Sequence, residues 1–148
     1  MEIKRKYKSV VHKRRITLTE NEANNWLSGK GNIPDSQIAR EIDYFKSYYG
    51  GIKPKVYLSY EREAFYLKDG GDFRLTFDNN ILFRTDNLCF SHKPWGQRVI
   101  KEGLSVMEIK CSGGIPLWLT DVLSKEHIYK RPFSKYGTVY TNFLKEKL

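Results

Sequence analysis

The sequence predicts an α+β protein built around an antiparallel sheet. Several segments alternate apolar and polar residues with the period of a strand, and short turns join consecutive strands. Other segments repeat apolar residues at helical spacing. Strands joined by tight turns pair antiparallel, because parallel strands need long crossover connections. The 148 residues correspond to about one ordinary domain, so we expect a single domain over residues 1–148.

The first fifty residues predict a hairpin followed by two helices. Glu2–Tyr7 and Val10–Leu18 are rich in β-branched residues and alternating charge, which favours two strands. Thr19 is a typical N-cap for a helix that runs to about Trp26. Asp35 is expected to cap a second helix. In that helix four apolar side chains recur at helical spacing, namely Ile38, Ile42, Phe45 and Tyr49.

The remaining residues predict further strands and two more helices. Period-two alternation favours three strands, at Val56–Leu67, Phe73–Phe83 and Val106–Cys111. The segment Asn87–Gly103 is expected to be irregular. Pro116 is expected to begin a helix through about Ser124, and a C-terminal helix is expected from about Thr138 to Lys145.

Composition and charge indicate a folded protein with an anionic partner. Hydrophobic residues make up 40% of the chain and aromatic residues 14%, which suits a packed core and excludes a disordered tail. Lys and Arg number 26 against 17 Asp and Glu, a formal net charge of +9. Such a balance is typical of proteins that bind nucleic acid, anionic membrane or phosphate. A merely basic surface is the alternative.

The polar faces of the predicted strands carry the charges in a regular pattern. Residues two apart in a strand share a face. Each of five strands places a cation on its polar face: Lys4 and Lys6, Lys13 and Arg15, Arg62, Arg74, and Lys110. Two strands add a carboxylate two residues from a cation, Glu2 and Glu108.

Two interpretations of this pattern are open. One is an amphipathic sheet with a solvated outer face. The other is a barrel whose charges point inward while the apolar faces lie under helices. Repulsion among so many enclosed cations would cost several kcal/mol unless an anion offset it. A phosphate chain is a natural counter-ion, because Arg can bind two phosphate oxygens at once and Lys acts as a point charge. A carboxylate among the cations would suit a divalent metal that bridges phosphates.

Several strings of residues resemble one known family. They are, in order, EIKRKY, VVHKRR, PKVYLSYEREAF, FRLTFDNNI, MEIKCSGGIPLWL and PFSKYGTVY. They resemble the VTC domain, the polyphosphate polymerase domain of the triphosphate tunnel metalloenzyme (CYTH-like) superfamily, over nearly the whole chain. The resemblance implies an antiparallel β-barrel tunnel lined by basic residues, with helices packed outside. It also implies ATP as the phosphoryl donor, a divalent metal (Mn or Mg), and a growing polyphosphate chain as the acceptor.

The resemblance also implies roles for individual residues. Eight basic side chains would bind phosphate: Lys4, Lys6, Lys13, Arg15, Arg62, Arg74, Lys110 and Lys135. The catalytic set would be Arg62, Arg74, Glu108 and Lys110. Glu108 would be the metal ligand and Glu2 a second one. No nucleophilic side chain is expected, because phosphoryl transfer depends on positioning and charge neutralisation.

The chain departs from the family pattern at its start. Full-length members begin earlier, with a strand containing an SLYFDT-like motif and a strand carrying an RxRxY-like arginine pair. Five strands cannot close the family's eight-stranded tunnel, so we expect an incomplete, N-terminally truncated domain. The chain would then be a fragment, or a partner protein segment would supply the missing strands, or the remnant would not catalyse. A non-catalytic polyphosphate- or nucleotide-binding module and a tunnel triphosphatase are therefore alternatives to a polymerase.

Other features narrow the expected partners. The sequence has no P-loop, and its three histidines lack metal-binding spacing. Because no stretch approaches the roughly 18 apolar residues of a membrane span, no membrane partner is expected. Basic runs near Lys4 and Lys13 would suit nucleic acid, but their alternation within strands favours an enclosed site. Asp78 is expected to pair with Arg74, with metal binding as the alternative.

The two cysteines, Cys89 and Cys111, have no metal-ligand spacing. The basic N-terminal segment contains no apolar region of the kind that a secretory signal needs. These features predict a reduced protein in the cytoplasm.

Overall fold

The computed structural model describes residues 1–8, 10–32 and 34–145, except for the side chain of Lys6. The chain divides into two compact units, Met1–Lys53 and Pro54–Leu148. Helices and antiparallel strands occur together, which confirms the predicted α+β class. No helix in the described ranges is long and apolar enough to cross a membrane.

The first unit is a β-hairpin followed by two helices. Its elements are β1 (Glu2–Tyr7), β2 (Val10–Arg15), α1 (Glu20–Leu27) and α2 (Gln37–Tyr48). The strands pair antiparallel, with Glu2 opposite Arg15 and Lys4 opposite Lys13. Strand β2 was predicted to continue to Leu18 but ends at Arg15. Strand β2 ends at the residue that lies opposite Glu2, the first residue of β1. The next residue, Ile16, donates its N–H to the carbonyl of Met1 at 2.9 Å.

The two helices of the first unit begin at side-chain caps. Thr19 is the N-cap of α1, as predicted, and its side chain accepts from the backbone N–H of Glu22. The Glu22 carboxylate in turn accepts from the Thr19 backbone N–H at 2.7 Å, which completes a capping box. The predicted cap Asp35 is wrong by one residue. Ser36 accepts from the Ala39 N–H at 3.1 Å, whereas the Asp35 carboxylate lies one residue too early and pairs with Arg40.

A small apolar core joins the hairpin to the helices. It contains Ile3, Trp26, Ala39 and Ile42. The indole N–H of Trp26 donates to Asp43 at 3.0 Å, so its polar group is satisfied despite burial. Burying an aliphatic side chain such as that of Ile3 or Ile42 contributes about 1.5–3 kcal/mol. Because Ile3 points into this core, the alternate residues of β1, Glu2 and Lys4, lie on the opposite face.

The second unit contains a four-stranded antiparallel sheet and the C-terminal helices. Its elements are β3 (Tyr57–Tyr66), β4 (Arg74–Arg84), β5 (Gln97–Arg98), β6 (Val106–Lys110), α3 (Leu117–Lys125), α4 (Lys135–Val139) and a π-helical turn, Tyr140–Leu144. Strand β4 is central and pairs with β3, β5 and β6. Within the described residues, neither this sheet nor the hairpin closes into a barrel. The tunnel therefore remains a prediction.

Two elements of the second unit differ from the prediction. The two-residue strand β5 falls in a segment predicted to be irregular, and it is too short to show alternation. Helix α4 begins at Lys135, three residues before the predicted start at Thr138. The side chain of Ser134 accepts from the Gly137 N–H at 3.1 Å, and this cap offsets the low helix propensity of glycine.

A bulge changes which residues of β4 share a face. The pairing of β3 with β4 shifts between Ser59 and Glu61, and Asn80 adopts a left-handed backbone with φ of 50°. Asparagine tolerates this conformation better than most residues. Beyond the bulge, Ile81 and Phe83 lie on the same face as Asp78. They form a buried cluster with two residues from other elements, Val99 and Val139.

Arg84, at the end of β4, organises the loop that follows. Its guanidinium is buried and donates to the carbonyls of Asn87 (2.8 Å), Cys89 (2.7 Å) and Trp95 (3.3 Å). The Tyr57 ring lies 3.4 Å from it, measured from the guanidinium carbon to the ring centroid. These contacts hold the irregular segment against the sheet.

Candidate functional site

A buried carboxylate lies at the centre of the charged face of the second unit. Asp78 is 1% exposed. It accepts two hydrogen bonds from Arg62 on the neighbouring strand, from Nε to Oδ1 at 2.5 Å and from Nη2 to Oδ2 at 2.7 Å. Oδ2 also accepts from the ammonium of Lys135 at the start of α4. Two cations from distant parts of the chain therefore converge on one carboxylate.

The neighbouring charges shift the pKa values of Asp78 and Arg62 towards their charged forms. Burial alone would raise the pKa of Asp78, but hydrogen bonds and charge from Arg62 and Lys135 outweigh burial and lower it below its ordinary value. The hydrogen bonds to Asp78 also raise the pKa of Arg62. Asp78 and Arg62 are therefore charged at neutral pH. By formal charge, the cluster of Arg62, Asp78 and Lys135 carries one net positive charge.

An aromatic ring packs against both cations of this cluster. The Tyr60 ring centroid lies 4.4 Å from the Lys135 nitrogen and 5.1 Å from the Arg62 guanidinium carbon. The negative face of an aromatic ring attracts a cation at such distances. Tyr60 therefore helps to fix the side chains of Arg62 and Lys135 where β3 and α4 approach each other.

Strand β6 adds a second group of charges to the same face. Directly opposite residues in antiparallel strands share a face, and Arg74 lies opposite Lys110 while Thr76 lies opposite Glu108. Glu108 Oε1 lies 3.0 Å from the Lys110 ammonium, and Oε2 lies 3.8 Å from Arg62 Nη2. Among the described residues, Arg74 has no carboxylate partner. We call the polar residues of this face the sheet cluster: Arg62, Arg74, Thr76, Asp78, Glu108, Lys110 and Lys135.

The hydroxyl of Thr76 lies within the sheet cluster without a partner. Its Oγ1 is buried, and no hydrogen-bond partner for it occurs among the described residues. Buried polar groups are normally hydrogen-bonded, and leaving one unpaired costs about 1–3 kcal/mol. A bound water or ligand oxygen would remove this cost.

The first unit carries a similar, more exposed face, which we call the hairpin cluster. Glu2 lies between three cations, with carboxylate oxygens 3.1 Å from Arg15, 3.4 Å from Lys4 and 3.6 Å from Lys13. Desolvation alone would raise the pKa of Glu2, but hydrogen bonds from Arg15 and Lys4 and the charge of Lys13 together outweigh it and lower the pKa. The hairpin cluster therefore also has a surplus of positive charge around one carboxylate.

The structure places most of the predicted site residues in these two clusters. The sheet cluster brings together Arg62, Arg74, Glu108, Lys110 and Lys135, and the hairpin cluster brings together Glu2, Lys4, Lys13 and Arg15. The side chain of Lys6 lies outside the described part of the structure.

The predicted partner of Asp78 is wrong. Asp78 pairs with Arg62 and Lys135 and not with Arg74. Asp78 and Arg74 are four positions apart in the strand, about 13 Å, whereas Arg62 lies directly opposite Asp78. Tyr60 was not among the predicted site residues, although its position two residues before Arg62 places it on the same face of β3.

The surroundings of each carboxylate determine whether it could bind a metal ion. Across residues 1–8, 10–32 and 34–145, no group of three or more His, Cys, Asp or Glu side chains is placed to hold a metal ion. Asp78 is saturated by two cations, and both oxygens of Glu2 face cations. Glu108 is half-exposed, with Lys110 at 3.0 Å from one carboxylate oxygen and Arg62 at 3.8 Å from the other. A single such carboxylate fits a metal that takes its other ligands from water and substrate phosphates.

The chain matches the family model described as VTC domain over residues 1–144. A search of curated proteins finds no match.

Proposed function

This chain belongs to the VTC domain family, and we propose that it transfers phosphoryl groups from ATP to a growing polyphosphate chain. Membership of the family relates the chain to polyphosphate. The finer steps, namely the donor, the metal and the polymerase reaction in a basic tunnel, are our proposal. It rests above all on the surplus of positive charge on one face of the second sheet.

The sheet cluster has the charge balance that a phosphate chain requires. Four cations, Arg62, Arg74, Lys110 and Lys135, share the face with two carboxylates, Asp78 and Glu108. Two positive charges are therefore left uncompensated, and the opposed pair Arg74 and Lys110 brings two of the cations side by side. An anion with several oxygens would relieve the repulsion and fill the unused donors.

The geometry around Asp78 leaves donors available for phosphate. Arg62 uses Nε and one N–H of Nη2 on Asp78, so both N–H groups of Nη1 are not used by that carboxylate. Lys135 donates to Asp78 and retains two further N–H groups. Asp78 therefore fixes both cations while leaving each able to bind a phosphate oxygen.

The proposed reaction needs no nucleophilic side chain. The cations would hold the ATP phosphates in line with the terminal phosphate of the acceptor and neutralise charge on the transferred group. Glu108 is the residue that would hold a divalent metal, which would supply positive charge to offset that of the phosphates. Glu2 remains a predicted second ligand. We place this chemistry in the cytoplasm, where ATP is abundant.

An activity assay tests the proposal. The protein is incubated with ATP and Mn²⁺, and the products are separated on a gel. Long phosphate chains are expected, together with loss of product in Glu108→Ala and normal yield in the control Glu126→Ala, which changes an exposed carboxylate at the end of α3. The variant Glu2→Gln tests the second ligand in the same assay.

The other outcomes separate the alternatives. Release of inorganic phosphate without chains would indicate a triphosphatase, and tight binding of tripolyphosphate without turnover would indicate a binding module. Failure of the protein to bind tripolyphosphate at all would overturn a phosphate-chain function of any kind.

A further inference from the structure

A cavity of about 570 Å³ lies beside the C-terminal helix of the second unit. Phe83 and Phe143 line it with their rings, Tyr136 and Tyr140 flank it, and Gln97 and Lys55 add polar groups. No carboxylate occurs among the described residues that line it. The volume falls in the range of small-molecule sites, which combine apolar walls with a few polar groups.

The cavity lies along the same segment that reaches the sheet cluster. Lys135 contacts Asp78, Val139 packs with Ile81, and the Phe143 ring centroid lies 4.6 Å from that of Phe83. The C-terminal segment therefore follows one face of β4 from Asp78 towards Phe83.

The spacing along this face matches an extended nucleotide. Because of the bulge, Asp78 and Phe83 lie opposite Arg62 and Leu58, which are four positions apart on β3. This span is about 13 Å, comparable with the distance from the terminal phosphate to the base of an extended nucleoside triphosphate. Tyr136 directly follows Lys135, so the wall of the cavity and the cation on Asp78 are adjacent in the chain.

The lining suits a planar heterocycle. The Tyr136 and Tyr140 rings are 27° from parallel with centroids 6.4 Å apart, and both are partly exposed. Aromatic side chains can stack on any nucleobase, because every base has a π-face. The amide of Gln97 can both donate to and accept from the edge of a base.

We infer that this cavity binds the nucleobase of the nucleoside triphosphate whose phosphates contact the sheet cluster. The inference rests on the proposed function, because it takes ATP as the donor. It adds a site that distinguishes a nucleotide from a bare phosphate chain. The phosphates would contribute most of the affinity, while the cavity would favour ATP over tripolyphosphate.

Calorimetry with two ligands tests the inference. The affinities of ATP and of tripolyphosphate are measured for the wild type, Tyr140→Ala, Tyr140→Phe and the control Tyr129→Ala, which removes an exposed tyrosine outside the cavity. Tyr140→Ala should weaken ATP binding about 5-fold or more, as expected for loss of a stacked base. Its affinity for tripolyphosphate should stay within about 2-fold of the wild type, which also shows that the variant is folded. Tyr140→Phe keeps the ring and should bind ATP as the wild type does.

The outcomes separate this inference from the proposed function. Equal effects of Tyr140→Ala on both ligands, or none on either, would overturn the nucleobase site while tripolyphosphate binding still supports the phosphate site. An equal loss of ATP affinity in Tyr129→Ala would also overturn it, since that ring lies outside the cavity. Absence of tripolyphosphate binding by the wild type would instead count against the proposed function.

Discussion

The guanidinium of Arg62 binds both carboxylate oxygens of Asp78, which is 1% exposed. The pair joins β3 to the central strand β4, and Lys135 joins the start of α4 to the same carboxylate. A buried charge of this kind is stable only while its partners remain in place. Asp78 therefore connects the stability of the second unit to the position of two proposed phosphate-binding cations.

Replacing Asp78 by Asn should destabilise the second unit. The change leaves Arg62 and Lys135 without their anion, and breaking a buried ion pair typically costs about 3–5 kcal/mol. Because about a third of the Arg62 side chain is exposed, we expect a smaller loss of about 2–3 kcal/mol, at or below the lower limit of that range. Urea unfolding followed by fluorescence measures it. The control Asp121→Asn, at an exposed position in α3, should unfold at the wild-type urea concentration, and a similar shift in both variants would contradict the prediction.

The stability of the protein should fall in acid partly through Asp78. The pKa of this carboxyl is lowered from 3.8 in the folded state. The native state therefore binds fewer protons than the unfolded chain, and the stabilisation is present above pH 4 and lost as the pH falls through the folded pKa. The free energy of unfolding, measured by urea titration between pH 2 and 7, should decrease more steeply below pH 4 in the wild type than in Asp78→Asn. Parallel curves would show that Asp78 does not contribute to the acid dependence.

The alternation in β4 and β6 was sufficient to predict the face of the sheet cluster. Arg74 and Asp78 are an even number of positions apart, as are Glu108 and Lys110, so the two members of each pair share a face of their strand. The register between strands could not be obtained in this way. The register places Asp78 opposite Arg62 and Arg74 opposite Lys110.

Other features depend on contacts that local sequence does not encode. The arrival of Lys135 at Asp78 joins residues 57 positions apart, which no periodicity reports. The bulge at Asn80 moves Ile81 and Phe83 to the face of Asp78 and creates the surface that α4 covers. Asparagine at a left-handed position was a weak signal for it. The burial of Arg84 was also not predicted, because an arginine at the end of a strand is normally exposed to solvent.

Removing Arg74 should weaken phosphate binding without harming the fold. Arg74 lies opposite Lys110 and has no carboxylate partner in the described residues, so its loss relieves repulsion. A charge-assisted hydrogen bond contributes about 1.5–3 kcal/mol, and we expect Arg74→Ala to bind tripolyphosphate about 10-fold more weakly at fixed ionic strength. Calorimetry measures the affinity, and the unfolding midpoint should stay near that of the wild type. The control Arg131→Ala removes an exposed arginine; equal weakening in both variants would indicate a non-specific effect of net charge.

Arg84 provides the opposite case, a buried cation with a structural role. Its guanidinium donates to three carbonyls of the segment between Asn87 and Trp95, and the Tyr57 ring covers it. Lysine cannot reproduce this planar fork of donors. Both Arg84→Ala and Arg84→Lys should therefore lose about 3 kcal/mol of unfolding free energy, through unpaired carbonyls and lost packing. Hydrogen exchange should increase in residues 85–96, while the affinity for tripolyphosphate stays within about 2-fold, since the contacts of Arg84 are to this loop and not to the sheet cluster. A large loss of affinity with normal stability would instead contradict this structural role and indicate that Arg84 takes part in phosphate binding.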